Sequence, residues 1–236
     1  GIGRVLYYAV PIIMTGLSVG FAFKTGLFNI GTPGQFIIGA FAAVYVGVKW
    51  TFLPGSIHWL VAILAAFIAG GLWAVIPGVM KAYLNVNEVI SSIMMNYIGM
   101  YLVNYSVSLV LFDALRNQSL PVASTAVIPK MGFDKIFTGS PANGGFVIAI
   151  LFVILIYIVL NKTSFGYEMK ACGFNKDASK YAGINEKRNI ILSMVIAGAL
   201  AGVGGGLLYL SGSGKLIEVV DVLPAEGFNG IPVALL

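Results

Sequence analysis

The chain has 236 residues, 58% hydrophobic and 10% charged, with a mean hydropathy of +0.93. A soluble domain carries roughly 25% charged residues, so this chain belongs in a bilayer, where apolar surface faces lipid instead of a packed core. The net charge of +5 sits in loops and no basic stripe with interleaved aromatics suggests a nucleic-acid surface, while the single Cys172 excludes an internal disulfide and the single His58 argues against a histidine metal site.

Val5–Phe23 is predicted as a first span of full bilayer length, kinked by Pro11, with Gly16 and Gly20 forming a close-packing face. It is too long, and lacks the small-residue cleavage pattern, for a signal peptide. Residues 24–35 cannot form a plain helix, because Gly26, Gly31, Gly34 and Pro33 are all poor helix formers. Broken backbone at membrane depth is tolerated only where protein or a water-filled cavity covers its free N–H and C=O groups. Asn29, Thr32 and Gln35 place two amides and a hydroxyl at this break. Interrupted helices often hold a transported molecule; the alternative is a tight turn whose polar groups cap the flanking helices.

Phe36–Val48 and His58–Met80 follow as apolar segments, and Asn85 with Glu88 resembles a capping box opening the next helix. Val89–Phe112 is a span with unusual polar content: Ser91, Ser92, Asn96, Asn104 and Ser106. Such groups should face other helices or a cavity, as interhelical hydrogen bonds or as the lining of a path. Residues 113–145 are a long polar loop, Phe146–Leu160 a lipid-facing span and residues 161–189 a second long loop. Gly198, Gly202 and Gly206 recur every fourth residue of Ile190–Leu210, which predicts close packing of another helix. Leu216–Leu223 reads as a strand-like surface segment, and Gly227 as the start of a further span. Gly1 is not Met and Leu236 ends inside an apolar run, so the chain reads as a piece of a longer protein truncated at both ends.

Lys162, Lys170, Lys176, Lys180, Lys187 and Arg188 crowd residues 161–189, which places that loop in the cytoplasm and residues 113–145 outside. The expected architecture is all-α: a single polytopic transmembrane helical bundle over residues 1–236 with a broken helix. The segment 26–33 echoes 227–232, an aromatic with Asn, then Gly, then Pro, a pattern compatible with inverted repeats and equally with chance. No charged residue lies in the core of any span, which disfavours a proton- or sodium-driven carrier. No phosphate-cradling loop is present, so the chain does not itself use ATP. No nucleophile–base pair or ligand cluster suggests an enzyme; no catalytic residue, metal or cofactor is expected.

Four motifs then carry a resemblance. Gly26-Leu27-Phe28-Asn29-Ile30-Gly31-x-x-Gly34-Gln35-x-x-x-Gly39-Ala40 is similar to the signature of ABC-importer permeases of the branched-chain amino acid/ribose superfamily, closest to the nucleoside and simple-sugar permeases. Asn87-Glu88-Val89-Ile90-x-x-Ile93-Met94-x-Asn96-Tyr97 resembles their next motif. Gly173-x-Asn175-x-x-Ala178-x-x-Tyr181-Ala182-Gly183-Ile184 resembles their cytoplasmic coupling segment. Gly227-Phe228-Asn229-Gly230-Ile231 with Val233-Ala234-Leu235-Leu236 looks like a fourth run, with Asn229 and Pro232 where Asp and Ala are usual.

The resemblance implies a bacterial plasma-membrane permease subunit working by alternating access. It implies partner subunits that bind ATP and Mg, a second permease subunit and an extracellular substrate-binding lipoprotein. It favours a nucleoside, with a simple sugar as alternative in substrate and a carrier or facilitator without an ATPase as alternative in class. Asn29, Gln35, Ser92, Asn96 and Asn104 are the expected substrate path; Gly173, Asn175, Ala178, Tyr181 and Gly183 are the expected coupling residues. On sequence pattern alone the coupling segment reads equally as an amphipathic helix lying on lipid headgroups.

Overall fold

A computed structural model describes residues 1–236, apart from the side chain of Lys176, so that one of the six basic residues expected to crowd residues 161–189 lies outside the described residues. Helices α1 (Ile2–Lys24), α2 (Thr32–Lys49), α3 (Gly55–Leu84) and α4 (Glu88–Val110) come first. A two-stranded antiparallel hairpin, β1 (Phe112–Asp113) with β2 (Gln118–Ser119), and the short α5 (Phe133–Ile136) precede α6 (Gly145–Lys162). Then come α7 (Ser164–Phe174), α8 (Lys176–Tyr181), α9 (Glu186–Tyr209), α10 (Ala225–Phe228) and α11 (Gly230–Leu235). Among the described residues, α1, α3, α4, α6 and α9 are each long and apolar enough to cross a membrane. The all-α polytopic bundle expected from the sequence is the fold.

The bundle is built around α9, whose apolar window is 78% buried, against 17% for that of α6. The cause is the glycine content of α9. A methyl on Gly202 would fall on the Ala66 carbonyl oxygen of α3 and 3.0 Å from Gly70 Cα. One on Gly198 would meet Ala74 Cβ and the Gly70 carbonyl, and one on Gly206 would lie 2.9 Å from Ala66 Cβ. On the α2 side, Gly39 packs on Gly202, and Gly205 on the Phe36 carbonyl. In lipid, helices gain little from apolar burial, so close backbone approach through small residues carries much of their association. Of the two glycines expected to form a packing face on α1, a methyl on Gly16 would lie 3.5 Å from the Gly230 carbonyl oxygen, but one on Gly20 would meet nothing within 4 Å. α6 has no such row, and its Leu151, Ile154, Leu155 and Tyr157 are exposed.

Several local expectations are corrected. Asn85 is not a helix start: it takes φ 50 and ends α3, and Asn87 caps α4 by accepting from the Val89 N–H at 2.8 Å. The basic loop is largely helical, because Thr163 and Asn175 each cap a short helix from within it. Gly173 lies inside α7, while Gly183, at φ +79, follows α8 as a stop. Residues 216–223 form no strand, only a bridge between Glu218 and Gln118. The segment from Gly227 is two short helices meeting at Asn229.

Residues 24–31, 81–88 and 163–189 share one face of the bundle, and residues 50–55, 111–144 and 210–224 the other, as their mutual contacts show. The fully buried His58 ties the second face together: Nε2 donates to the Val46 carbonyl at 3.0 Å and Nδ1 pairs with the Thr125 hydroxyl at 2.8 Å. The two Gly/Pro segments that echo each other also touch, Gly227 against Pro33 Cα.

Candidate functional site

The break between α1 and α2 lies at one face of the bundle and turns Thr25, Leu27 and Asn29 inward, where they are buried. Ser18 stands six residues before the end of α1, about 9 Å along the axis, and its hydroxyl donates to the Ala197 carbonyl of α9 at 2.6 Å. Asn29 reaches this hydroxyl with Nδ2 at 3.2 Å and donates from the same nitrogen to Gln35 Oε1 at 2.8 Å. Gln35 Nε2 donates back to Asn29 Oδ1 at 3.0 Å, and the Gly31 N–H donates to the same oxygen at 3.1 Å. Asn29 and Gln35 are 0% and 1% exposed, so this reciprocal amide pair is sealed from solvent.

The start of α2 has no side chain of its own to cap it, since Gly31 occupies the N-cap and Pro33 lacks an N–H. The cap comes from another helix. Asn96 of α4 accepts from the Gly34 N–H through Oδ1 at 2.9 Å and donates through Nδ2 to the Ile30 carbonyl at 3.0 Å. One amide thus satisfies a donor and an acceptor that the break leaves free. There is no room for a side chain here: a methyl on Gly34 would stand 2.8 Å from Asn96 Cα.

Two hydroxyls beside this knot are left over. Thr32 Oγ1 and Ser92 Oγ are buried, and neither has a hydrogen-bond partner. Ser92 Cβ lies 3.2 Å from where a Gly31 methyl would be, which sets it against the break. A buried polar group without a partner costs about 1–3 kcal/mol, and such a group in a native structure marks a place for a ligand, a water or a movement.

Asn29, Gln35, Ser92 and Asn96 are therefore together, and Asn104 is not with them. Asn104 stands eight residues on, about 12 Å along α4, and donates to the Val220 carbonyl at 2.9 Å and to Asp221 at 3.3 Å. Ser18 belongs to the break network but was not singled out from the sequence; a hydroxyl within an otherwise apolar span was the available signal. On the opposite face, Arg4, Tyr7, Tyr8, Ser213 and Lys215 line a polar cleft of about 610 Å³. Its Tyr7 and Ser213 hydroxyls pair at 2.8 Å.

The expected coupling residues divide by orientation. Ala178 and Tyr181 point outward, Tyr181 with 94% exposure, and Phe174 beside them is 90% exposed. Asn175 caps α8 by accepting from the Ala178 N–H at 3.0 Å. Gly173 faces the other way, into the bundle against Lys24–Gly26. No cluster of His, Cys, Asp or Glu that could hold a metal exists among the described residues.

A bundle of apolar helices around an uncharged, hydrogen-bonded helix break is the architecture of a polytopic membrane permease. The chain belongs to the branched-chain amino acid transport system / permease component family, whose model matches residues 1–236. It is 40% identical over 235 residues to the "Guanosine ABC transporter permease protein NupP" of Bacillus subtilis (strain 168), covering 100% of this chain and 67% of that one. It is 35% identical over 243 residues to the "Nucleoside ABC transporter permease protein NupB" of Lactococcus lactis subsp. cremoris (strain MG1363), 100% of this chain and 66% of the relative. It is 32% identical over 243 residues to the "Glucose ABC transporter permease protein TsgB13" of Haloferax volcanii, 100% of this chain and 63% of the relative. The chain thus spans about two-thirds of the length of these relatives. No solved structure matches it. It is a multi-pass protein of the plasma membrane.

Proposed function

We propose that the chain is the permease subunit of an ABC importer for nucleosides, with alternating access driven by ATP hydrolysis on partner subunits. The observation that carries this reading is the uncharged knot of Asn29, Gln35 and Asn96 with the unspent hydroxyls of Thr32 and Ser92. A nucleoside offers hydroxyls and ring nitrogens but no net charge, and amides and hydroxyls match it without the cost of burying an ion. In the described conformation the amides satisfy one another and the backbone. Parting of α2 from α4 would free Asn96, and parting of α2 from Asn29 would free Gln35, so that these amides and the two hydroxyls exchange their partners for the substrate. The relatives named for guanosine and nucleoside transport support the substrate class. The glucose permease at 32% identity supports a simple sugar as the second reading, because a sugar presents the same neutral hydroxyl chemistry.

In this reading residues 163–189 face the cytoplasm, and the outward face of α8 with Phe174 and Tyr181 docks an ATP-binding subunit. Exposed aromatic rings on a short, capped helix suit an interface. The polar cleft at Arg4, Tyr7 and Lys215 then faces the external binding protein and the incoming substrate. The test is uptake into proteoliposomes holding the complete importer. ATP-dependent accumulation of labelled guanosine, adenosine or uridine supports the proposal. Accumulation of glucose or ribose alone selects the second reading, and uptake indifferent to ATP overturns both.

A further inference from the structure

We infer that the backbone contact between Gly26 and Gly173 is the joint through which the α7–α8 segment moves the α1–α2 break. The inference rests on the importer reading above. Gly173 sits one residue before the end of α7. A methyl there would stand 2.8 Å from the Lys24 carbonyl oxygen and 2.9 Å from both the Gly26 nitrogen and the Thr25 carbonyl carbon. A methyl on Gly26 would stand 2.9 Å from Gly173 Cα, and Gly26 holds φ +74, a conformation suited to glycine. The two chains meet main chain to main chain. Side chains could absorb a displacement by changing rotamer; this contact has none to change.

Each side of the joint is secured. α7 starts tightly on the end of α6, where a methyl on Gly166 would fall on the Val159 carbonyl oxygen. From Gly166 to Gly173 is seven residues, a lever of about 10 Å. Its far end is tied to α8 and α9 by the buried Cys172, whose thiol donates to the Ser179 hydroxyl at 3.6 Å and whose sulfur accepts from Asn189 Nδ2 at 3.5 Å. Across the joint, the Thr25 hydroxyl pairs with that of Ser193 and bonds the Ala22 carbonyl. Leu27 is 1% exposed and packs with Ala22, Ile190, Met194 and Ala197. Asn29 is three positions on from Gly26, a reach of at most about 11 Å. A force on the exposed Phe174–Tyr181 surface therefore reaches the amide knot through a short, well-packed route, apart from any transmission through α6 and α9 themselves.

The test uses the complete importer in nanodiscs and proteoliposomes. Hydrogen exchange is followed at amides 25–31 and 164–181 with and without the ATP-binding subunits, and ATP hydrolysis and uptake are measured together. The joint predicts that docking alters exchange in both segments. It predicts that Gly173→Ala severs the response at 25–31 while 164–181 still responds, and raises the ATP hydrolysed per substrate imported at least tenfold. Docking that alters 164–181 but leaves 25–31 unchanged in the unsubstituted protein overturns the joint, as does Gly173→Ala with an unaltered coupling ratio. Should Gly173→Ala fail to assemble, the exchange pattern of the unsubstituted importer decides alone. Absence of ATP-dependent uptake in the unsubstituted importer is a separate result, and refutes the importer reading rather than the joint.

Discussion

Replacing Gly202 with Ala tests how the bundle is held together, because the structure predicts a sign opposite to that of the same change at Gly20. In a helix interior Ala is worth about 0.5–1 kcal/mol more than Gly. At Gly20 the added methyl meets nothing within 4 Å, so that gain should be kept. At Gly202 the methyl falls on the Ala66 carbonyl and lies 3.0 Å from Gly70 Cα, so α3 and α9 must move apart. Overpacking of this kind costs about 1–3 kcal/mol, which leaves a net loss of up to about 2 kcal/mol. For a chain of this size 1 kcal/mol corresponds to roughly 2–4 °C in Tm. Thermal unfolding in detergent should show Gly202→Ala melting as much as about 8 °C lower, and Gly20→Ala up to about 4 °C higher. A Gly202→Ala protein that melts at or above the unsubstituted one would refute the close-contact argument. Equal losses at both positions would show a general intolerance of α1 and α9, not packing at one crossing.

Asn96→Leu should leave the Gly34 N–H and the Ile30 carbonyl unpaired, at about 1–3 kcal/mol each, and lower both Tm and uptake. Gln35→Leu strips Asn29 of its reciprocal partner, so substrate uptake should fall while the subunit still assembles; unchanged uptake in Gln35→Leu combined with Asn96→Leu would remove both residues from the path. Ala178→Glu sets a charge on the outward face of α8, and is expected to leave the protein in the membrane, measured by fractionation, but to abolish ATP-driven uptake. His58→Leu loses the bonds to Val46 and Thr125 that join α2, α3 and the 124–126 turn, and should destabilise by about 1–3 kcal/mol in thermal unfolding.

The sequence by itself determined the membrane class and the all-α fold, because hydropathy and span length answer to the bilayer rather than to any partner element. It also located the break, but drew it too long: Thr32, Pro33, Gly34 and Gln35 form the first turn of α2, where a proline needs no N–H partner, and only residues 25–31 are non-helical. Amides at the break and within an apolar span brought Asn29, Gln35 and Asn96 forward as candidates, but their contacts were not legible. Asn96 caps α2 from sixty-odd positions away, and no local pattern encodes which amide meets which orphaned N–H. The same limit made Asn104 look equivalent to Asn96; only the docking of residues 220–221 against α4 separates them. Gly16 and Gly20 share one spacing in the sequence, yet only Gly16 meets a neighbour. Asn85 was expected to open α4, but it takes the left-handed turn that ends α3 and leaves the cap to Asn87. Chain-local rules set where helices start, stop and break. Which small residue touches which helix, and which hydroxyl is left unspent, follows from the packing of α9 among α1, α2 and α3, a property of contacts far apart in sequence.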